Sequence, residues 1–346
     1  MRSIATLLVA SSFLASAPAL AEAPSLSASS LGPSWVCRQP RGPVGTQREI
    51  ALAPGSEPLG ITVGPDLKVW FTLAGGNSIG RATREGQVTL FALPTPAASP
   101  QNLTPALDGN VWFTELSVDR IGRITPQGVV TEFPLPERGA SPFGITAGLD
   151  GNVWFTEVTG NRIGRITPAG VVTEYAIPTL ASQPRGIATG VDGNVWFTEL
   201  AGNKIGVISS KGVLREFSVP TPNSGPSAIT AGLDGAMWFT EQFANKVGRI
   251  TPQGVVTEYA IPTADSGPAA LTVGADGNVW FVEQFGNKLG RITPAGDITE
   301  FDLVTPEGLP SGISFGPAGF LCLDGNVWFT ERFGDRIGRL QVVATP

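Results

Sequence analysis

The sequence of 346 residues contains no histidine, and this absence excludes several common kinds of active site. Without an imidazole there is no Ser-His-Asp or Cys-His triad and no histidine ligand for a metal ion. Basic residues are also few, since 23 lysines and arginines against 29 aspartates and glutamates give a net charge of −6. A nucleic-acid partner needs clustered basic residues to contact its phosphates, so we expect no such partner.

Long hydrophobic runs are missing except at the N-terminus. Arg2 precedes an apolar stretch from Ile4 to Leu14, and Ala19-Leu20-Ala21 forms a small-x-small cleavage site. This arrangement predicts a secretory signal peptide over residues 1–21 and a secreted or periplasmic protein. An N-terminal anchor is the alternative, but the stretch is too short to span a bilayer, so no membrane insertion is expected after cleavage. Residues 22–45, rich in Ser, Pro and Gly, are interpreted as a linker or tail.

What the chain does contain is one phrase, Asn-Val-Trp-Phe-Thr-Glu or a close variant, repeated seven times. Six of the units are spaced by 42 residues and the last interval is 48. A period in the forties built of short strand-like segments is typical of a β-propeller, in which each repeat is one blade. We therefore predict an all-β fold over residues 46–346, a seven-bladed β-propeller of four-stranded antiparallel blades. The seven tryptophans are Trp70, Trp112, Trp154, Trp196, Trp238, Trp280 and Trp328.

The third unit illustrates the predicted blade. An inner strand around Gly144–Gly148 precedes the Trp strand Val153–Glu157, a third strand Arg162–Ile166 and an outer strand Val171–Tyr175. Asp-Gly pairs before the Trp strands predict type I′ hairpins with positive φ at both central residues. Thr-Pro-x-Gly turns are predicted to join the third and outer strands, because proline pre-sets φ for the turn.

The two ends of the repeat region indicate how the ring closes. The last unit stops after Arg336–Leu340 without an outer strand, whereas Arg48–Leu52 resembles an outer strand without a blade. The N-terminal strand is therefore predicted to complete the last blade, which removes an open sheet edge. The only two cysteines, Cys37 and Cys322, flank this seam, so we predict a disulfide between them. Two separate thiols are the alternative.

A first set of candidate site positions is the glutamate that ends the Trp strand in six of the seven blades. In a propeller this position opens on the same face as the turn that enters the inner strand. A ring of carboxylates there is suited to Mg²⁺ or Ca²⁺. A residue repeated in so many blades is, however, more often structural. The glutamates are Glu115, Glu157, Glu199, Glu241, Glu283 and Glu331, and blade one has Leu73 in their place.

A second set is the residue that follows proline at the start of each inner strand, and it varies from blade to blade. Variation on a repeated scaffold suits ligand specificity, although solvent-exposed drift is the alternative. Among these residues we predict ligand binding by Phe143, Arg185, Ser227 and Ser311. Phe143 and Arg185, on neighbouring blades, offer an apolar face and a positive charge to an anionic or aromatic ligand. The full set is Leu59, Gln101, Phe143, Arg185, Ser227, Ala269 and Ser311.

The recurrent Asp-Gly-Asn-Val-Trp-Phe-Thr-Glu, Asn-x-Ile-Gly-Arg-Ile-Thr-Pro and Val-Thr-Glu-Phe/Tyr segments resemble the virginiamycin B (streptogramin B) lyases over about residues 46–340. The resemblance implies a seven-bladed propeller that opens a cyclic depsipeptide antibiotic by elimination across its ester. It also implies Mg²⁺ as a cofactor and a histidine as general base.

Four functional positions of that family can be compared with this chain. The two histidines follow proline in the last two blades, where this chain has Ala269 and Ser311. One metal carboxylate lies two residues before the second histidine, where this chain has Leu309, with Glu307 nearby but shifted. The other metal ligand is retained as Glu331. An unassisted serine cannot abstract a carbon-bound proton as imidazole does, so the resemblance implies the fold more strongly than the reaction.

Three functions therefore stay open. The first, which the missing histidines favour, is a secreted monomeric propeller that binds a small-molecule or protein ligand on its funnel face without lyase chemistry. The second is a divergent metal-dependent enzyme, either a streptogramin B lyase or a lactone-type enzyme, with Glu331, Glu283 and Glu307 as ligands for Mg²⁺ or Ca²⁺. The third is a protein-interaction module of the cell envelope, similar in style to NHL-repeat propellers.

Overall fold

The computed structural model describes residues 45–316 and 325–342, with two short strands, Ala318–Gly319 and Cys322–Leu323, between them. The predicted signal peptide, most of the segment 22–45, and Cys37 lie outside the described residues, so the disulfide stays a prediction. Within the described ranges every regular element is a β-strand. No helix there is long and apolar enough to cross a membrane.

Seven four-stranded antiparallel sheets form the blades, which confirms the predicted propeller. The inner strands are Pro58–Val63, Pro100–Pro105, Pro142–Ala147, Pro184–Thr189, Pro226–Ala231, Pro268–Val273 and Pro310–Phe315. The second strands, which carry the tryptophans, are Val69–Leu73, Val111–Glu115, Val153–Glu157, Val195–Glu199, Met237–Glu241, Val279–Glu283 and Asn326–Glu331.

The two remaining positions of each blade follow in the predicted order. The third strands are Ser78–Ala82, Arg120–Ile124, Arg162–Ile166, Lys204–Ile208, Lys246–Ile250, Lys288–Ile292 and Arg336–Gln341. The outer strands of blades one to six are Val88–Ala92, Val130–Pro134, Val172–Ala176, Leu214–Ser218, Val256–Ala260 and Ile298–Asp302. Each inner strand contacts the inner strands of both neighbouring blades, and that of blade seven contacts that of blade one.

The outer strand of blade seven is Gln47–Ala51, from the N-terminal side of the described chain. It pairs antiparallel with Arg336–Gln341, and its register begins with Gln47 opposite Leu340. The pairing extends one step further, where Gly45 N donates to Gln341 O over 2.8 Å. This arrangement confirms that the N-terminal strand completes the last blade.

The Trp strands are buried on both faces because blades stack on both sides of them. In blade three the Trp154 ring stacks on Tyr175 at 5.7 Å, and the Arg165 guanidinium lies 5.5 Å from the Trp154 ring. The glycine of the third strand is required by the same packing. A Cβ on Gly164 would lie 2.1 Å from the Phe155 ring. Comparable stacks and glycines recur around the ring.

The Asp-Gly hairpins differ from the type I′ prediction, which is wrong. In blade three Gly151 has φ of 80°, but Asp150 is not among the residues with positive φ. Gly151 N donates to Gly148 O, which is the pattern of a type I turn followed by a left-handed glycine. The physical reason is the aspartate side chain, because Asp150 Oδ1 accepts hydrogen bonds from Asn152 N at 3.1 Å and Trp154 Nε1 at 3.3 Å. The aspartate thus anchors the tryptophan as well as the turn.

Candidate functional site

A central cavity of about 730 Å³ lies at the end of the propeller where the inner strands begin. All seven residues that follow the inner-strand proline line it. The structure therefore brings together the four residues predicted to bind a ligand, namely Phe143, Arg185, Ser227 and Ser311. It also places Ala269 and Ser311, the positions of the family histidines, in the same wall.

These wall positions are held by a threonine of the preceding blade. Thr156 Oγ1 accepts a hydrogen bond from Gly144 N at 2.8 Å and donates one to the carbonyl of Arg185 at 2.8 Å. Each Trp strand that ends in Thr-Glu or Thr-Leu makes the same pair of contacts. Blade six has Val282 instead, so the carbonyl of Ser311 lacks this hydroxyl donor.

Arg185 is a cavity-wall cation without an acidic partner among the described residues. Its guanidinium lies 5.3 Å from the centre of the Phe143 ring, a cation–π contact between neighbouring blades. Its Nε is buried and makes no hydrogen bond. Burial lowers the pKa of Arg185 from its ordinary value, which reflects how poorly the charge is solvated.

A second cation in the wall, Arg332, is neutralised. Its Nη2 and Nε donate to Glu57 Oε2 at 2.8 Å and 3.1 Å, and both residues line the cavity. Sequence reasoning missed this pair. Glu57 is the blade-one counterpart of Leu309, since each directly precedes the inner-strand proline and has positive φ. Comparing the residue before the proline across the seven blades would have found it.

Three phenylalanines, Phe243, Phe285 and Phe333, follow the cavity-lining residues Gln242, Gln284 and Arg332. They are 67%, 69% and 66% exposed, so about two thirds of each residue faces solvent, while the rings of Phe243 and Phe285 lie against the loop glycines Gly225 and Gly267. The structure does not place them among the lining residues of the cavity. They form an exposed aromatic arc beside the wall of blades five to seven.

The glutamates that end the Trp strands do not line the cavity. All six are fully buried within their blades. In blade three Glu157 lies opposite Pro142 on one side and Arg162 on the other. It is close beneath Gly160, whose added Cβ would lie 2.7 Å from Glu157 Oε2. The ring of carboxylates therefore exists, but inside the blades and not around the funnel mouth.

Burial is the main cause of a raised pKa at these glutamates, and the nearest carboxylate of the same blade adds to it. The pKa rises to about 8 for Glu115 and Glu157. It rises to about 7 for the remaining four, Glu199, Glu241, Glu283 and Glu331. None of these carboxyl oxygens has a hydrogen-bond partner within the described residues. The serine nearest Glu283, Ser266, donates its hydroxyl to Asn245 Oδ1.

Each buried glutamate belongs to a repeated trio. The other two members are a Lys or Arg on the third strand and a Glu on the outer strand, as in Glu157, Arg162 and Glu174. Arg162 Nη1 donates to Glu174 Oε2 at 3.2 Å. Blade one has a different residue at all three positions. Because the three are replaced together, the trio is best understood as one set of mutually packed side chains. The blade-one residues are Leu73, Ser78 and Leu90.

The residues present do not fit the family's magnesium site. Glu283 and Glu331 are buried in separate blades, while Glu307 is exposed in the loop before Leu309. Leu309 offers no ligand atom. In the described ranges no group of three or more His, Cys, Asp or Glu side chains is placed to hold a metal ion. The assignment of Mg²⁺ or Ca²⁺ to Glu331, Glu283 and Glu307 stays a prediction.

Comparison with known proteins gives close structural matches. A sequence model of the virginiamycin B lyase family matches residues 153–345. No curated protein matched the chain. A solved streptogramin B lyase is 41% identical with a TM-score of 0.82, and the match covers 86% of this chain and 98% of that one. Selenomethionine-substituted virginiamycin B lyase from Staphylococcus aureus is 42% identical with a TM-score of 0.81, covering 86% and 99%.

A third solved structure is a catalytically inactive histidine-to-alanine variant of the Staphylococcus aureus lyase with quinupristin. It is 42% identical, with a TM-score of 0.81 and coverage of 86% of this chain and 99% of that one. A more distant match, a putative gluconolactonase at 17% identity and a TM-score of 0.54, shows the fold alone.

Proposed function

The chain belongs to the virginiamycin B lyase family, and from that membership we propose that it binds a small molecule in its central cavity without histidine-dependent lyase chemistry. The cavity wall is the observation that supports the proposal. It includes both positions of the family histidines, here Ala269 and Ser311, and offers no imidazole. In the Staphylococcus aureus relative, one histidine-to-alanine change already gives a catalytically inactive protein.

No other group in the wall is placed to act as the base. Glu57 is the acidic residue of the wall, and its carboxylate is engaged by two hydrogen bonds from Arg332. The Ser311 hydroxyl donates to the carbonyl of Leu309 at 3.1 Å and has no basic partner of its own. Loss of a general base removes a factor of about 10² to 10⁴ in rate. Binding without elimination is therefore the function that this wall supports best.

A metal-dependent enzyme is the second candidate, and the retained Glu331 favours it. Both Glu331 oxygens lack hydrogen-bond donors within the described residues, as expected for a ligand whose metal is removed. The same is true of the five other buried glutamates, which have no counterpart in the family's metal site. Glu331 is thus better explained by the packing shared among six blades.

The decisive experiment follows virginiamycin B and quinupristin by chromatography and mass spectrometry with purified protein and Mg²⁺. We expect both antibiotics to stay cyclic over hours at high protein concentration. Elimination would open the ring without a change of mass, whereas a lactone-type hydrolase would add one water. Metal-dependent opening that EDTA and Glu331→Gln both abolish would overturn the proposal in favour of the enzyme.

A matched variant tests whether the missing side chains explain the missing chemistry. Ala269→His, Leu309→Glu and Ser311→His together restore the three family positions that this chain lacks. We expect this triple variant to gain Mg²⁺-dependent elimination on a scaffold that otherwise matches the lyases closely. Failure of a folded triple variant would show that the wall differs in more than these three residues.

We also propose that the protein is exported. The predicted signal peptide lies outside the described residues, so export rests on the sequence. The sequence predicts cleavage after Ala21, so the mature protein would begin at Glu22. Sequencing the N-terminus of protein recovered from the periplasm or the medium tests this directly. An intact Met1 on the recovered protein would contradict it.

A further inference from the structure

We propose that the cavity selects small organic carboxylates and binds their charged group at the guanidinium of Arg185. This inference rests on the proposed function, because it names the ligand class of the same cavity. It goes beyond that function in committing to one charge, one anchor residue and one geometry of contact.

The charge of the wall is the first argument. The wall's charged side chains are Glu57, Arg185 and Arg332, and the first and last neutralise each other. One positive charge is left over at Arg185, inside a chain whose net charge is −6. A single unpaired cation matches a monoanion, whereas a dianionic phosphate would leave one charge without a partner.

The unsatisfied donors of Arg185 are the second argument. Its Nε is buried without a partner, and no ion pair or hydrogen bond of its guanidinium is present in the described residues. Because part of this guanidinium is buried, its charge loses some of its solvation, and the cation–π contact with Phe143 is its compensating contact among the described residues. The two terminal amino groups of Arg185 are not buried and have no acceptor among the described residues, so a carboxylate in the cavity would supply the hydrogen-bond acceptors that these donors lack.

The geometry of the guanidinium is the third argument. Arginine presents a planar fork of donors that matches a carboxylate in two parallel hydrogen bonds. The cation–π contact with Phe143 restrains the position of that fork, and the Asn102 amide donates to the Phe143 carbonyl at 3.1 Å. Thr156 in turn holds the backbone of Arg185. The fork is therefore positioned before a ligand arrives, which lowers the entropy lost on binding.

The remaining wall defines the body of the ligand. Leu59, Leu116 and Phe143 give it apolar surface, and Ser227 follows Arg185 in the ring with a hydroxyl. A volume of about 730 Å³ lies within the range of about 300–1,000 Å³ typical of small-molecule sites. The expected ligand is a carboxylate attached to an aromatic or apolar group.

The test measures binding of matched probes by calorimetry and ligand-observed NMR. Benzoate and phenylacetate are compared with benzamide and phenylacetamide, which keep the body and lose the charge, and with inorganic phosphate. We expect each carboxylate to bind at least about tenfold more tightly than its amide, as charge-assisted bonds require. Phosphate that binds more tightly than both carboxylates would overturn the proposed class.

Variants of Arg185 test whether this residue makes the contact with the carboxylate. Arg185→Gln is expected to weaken carboxylate binding at least about tenfold, and Arg185→Lys to give an intermediate loss because the fork is gone but the charge stays. Arg215→Gln is the matched control, since it removes one positive charge from an exposed position on the outer strand of the same blade. We expect it to leave binding unchanged.

A blocking variant that combines Ser227→Trp, on the blade next to Arg185, with Ser311→Trp separates failure of this inference from failure of the proposed function. If Arg185→Gln binds carboxylates as tightly as the original protein while the blocking variant does not, the cavity binds ligands and the anion site is wrong. Equal binding of amides and carboxylates would also show that the anion site is wrong. If the blocking variant leaves binding intact, the ligand lies outside the cavity and both proposals fail. Absence of carboxylate binding at millimolar concentration also overturns the anion site.

Discussion

Replacing Glu157 by glutamine should change how the stability of the propeller depends on pH. Burial raises the pKa of Glu157 from 4.5 to about 8, and the carboxylates of Glu174, Glu137 and Asp119 add to this effect. Arg162 lowers it, but its guanidinium donates to Glu174 and Glu137. Glutamine has the shape of the protonated acid and does not titrate. The variant therefore removes the titration with little change in packing.

The sign follows from which state binds the proton. Between about pH 4.5 and 8 the folded protein keeps the Glu157 proton and the unfolded chain releases it. The site's contribution to the free energy of unfolding is thus greatest at low pH and is lost as pH rises through this window. One pKa unit corresponds to about 1.4 kcal/mol. The free energy of unfolding of Glu157→Gln should therefore rise, relative to that of the original protein, by about 1.4 kcal/mol per pH unit in this window. The gain should level off above about pH 8 at roughly 3 to 5 kcal/mol.

The measurement is urea unfolding followed by tryptophan fluorescence at intervals from pH 5 to 9. Glu157→Leu is the matched second variant, because blade one already holds Leu73 at this position in a buried site. The two variants differ in packing but lose the same titration. Their stability difference from the original protein should therefore change with pH by the same slope. A flat difference for both would show that the buried carboxyl is ionised, and would refute the argument from burial.

Three further outcomes are expected. Burial raises the pKa of Glu216, but hydrogen bonds from Lys204 and a neighbouring threonine outweigh it and leave that pKa lowered. Glu216→Gln should therefore destabilise most above about pH 4.5 and progressively less as pH falls, measured by the same urea titration; a loss that grows toward low pH would contradict the sign. Arg185→Gln should raise the midpoint of thermal unfolding of the ligand-free protein, because it removes a partly buried charge that has no acidic partner among the described residues; a lower midpoint would mean that the cation–π contact with the neighbouring ring outweighs the cost of the partly buried charge. Gly164→Ala should lower the free energy of unfolding by about 1–3 kcal/mol or more, since the new Cβ would overlap the Phe155 ring, whereas alanine at the hairpin glycine Gly151 would meet open space and be penalised only for its φ.

The repeat made the architecture predictable, because each of the seven units contains the same order of strand-like segments and turn residues. Strand order, the buried Trp strands and the closing N-terminal strand all follow from alternation, turn residues and the unmatched strand at each end. The Asp-Gly turn was mistaken because only its backbone was considered. Asp150 bonds to Trp154, four residues away, and this side-chain contact favours a different turn.

The candidate site was predictable in part. Spacing placed the residue after proline and the glutamate ending the Trp strand at one end of the blade, and Pro142 does lie opposite Glu157. Spacing does not give the direction of a side chain at a strand end, so Arg185 and Glu157 were both expected at the funnel. A signal was present in blade one, where Leu73 occupies the glutamate position. A leucine there indicates a buried site.

The closure of the ring joins distant parts of the chain. Arg336 Nη1 contacts Glu49 Oε2 at 3.3 Å although the two residues are 287 positions apart. Asp335 Oδ2 accepts a hydrogen bond from Gly55 N across nearly the same separation. The strands of six blades are contiguous in sequence, whereas the seventh sheet combines Gln47–Ala51 with three strands from the C-terminal side of the chain and cannot be completed until both are present. A chain that ended before residue 336 would leave Gln47–Ala51 without its partner strand, and its unpaired sheet edges would favour association with other chains.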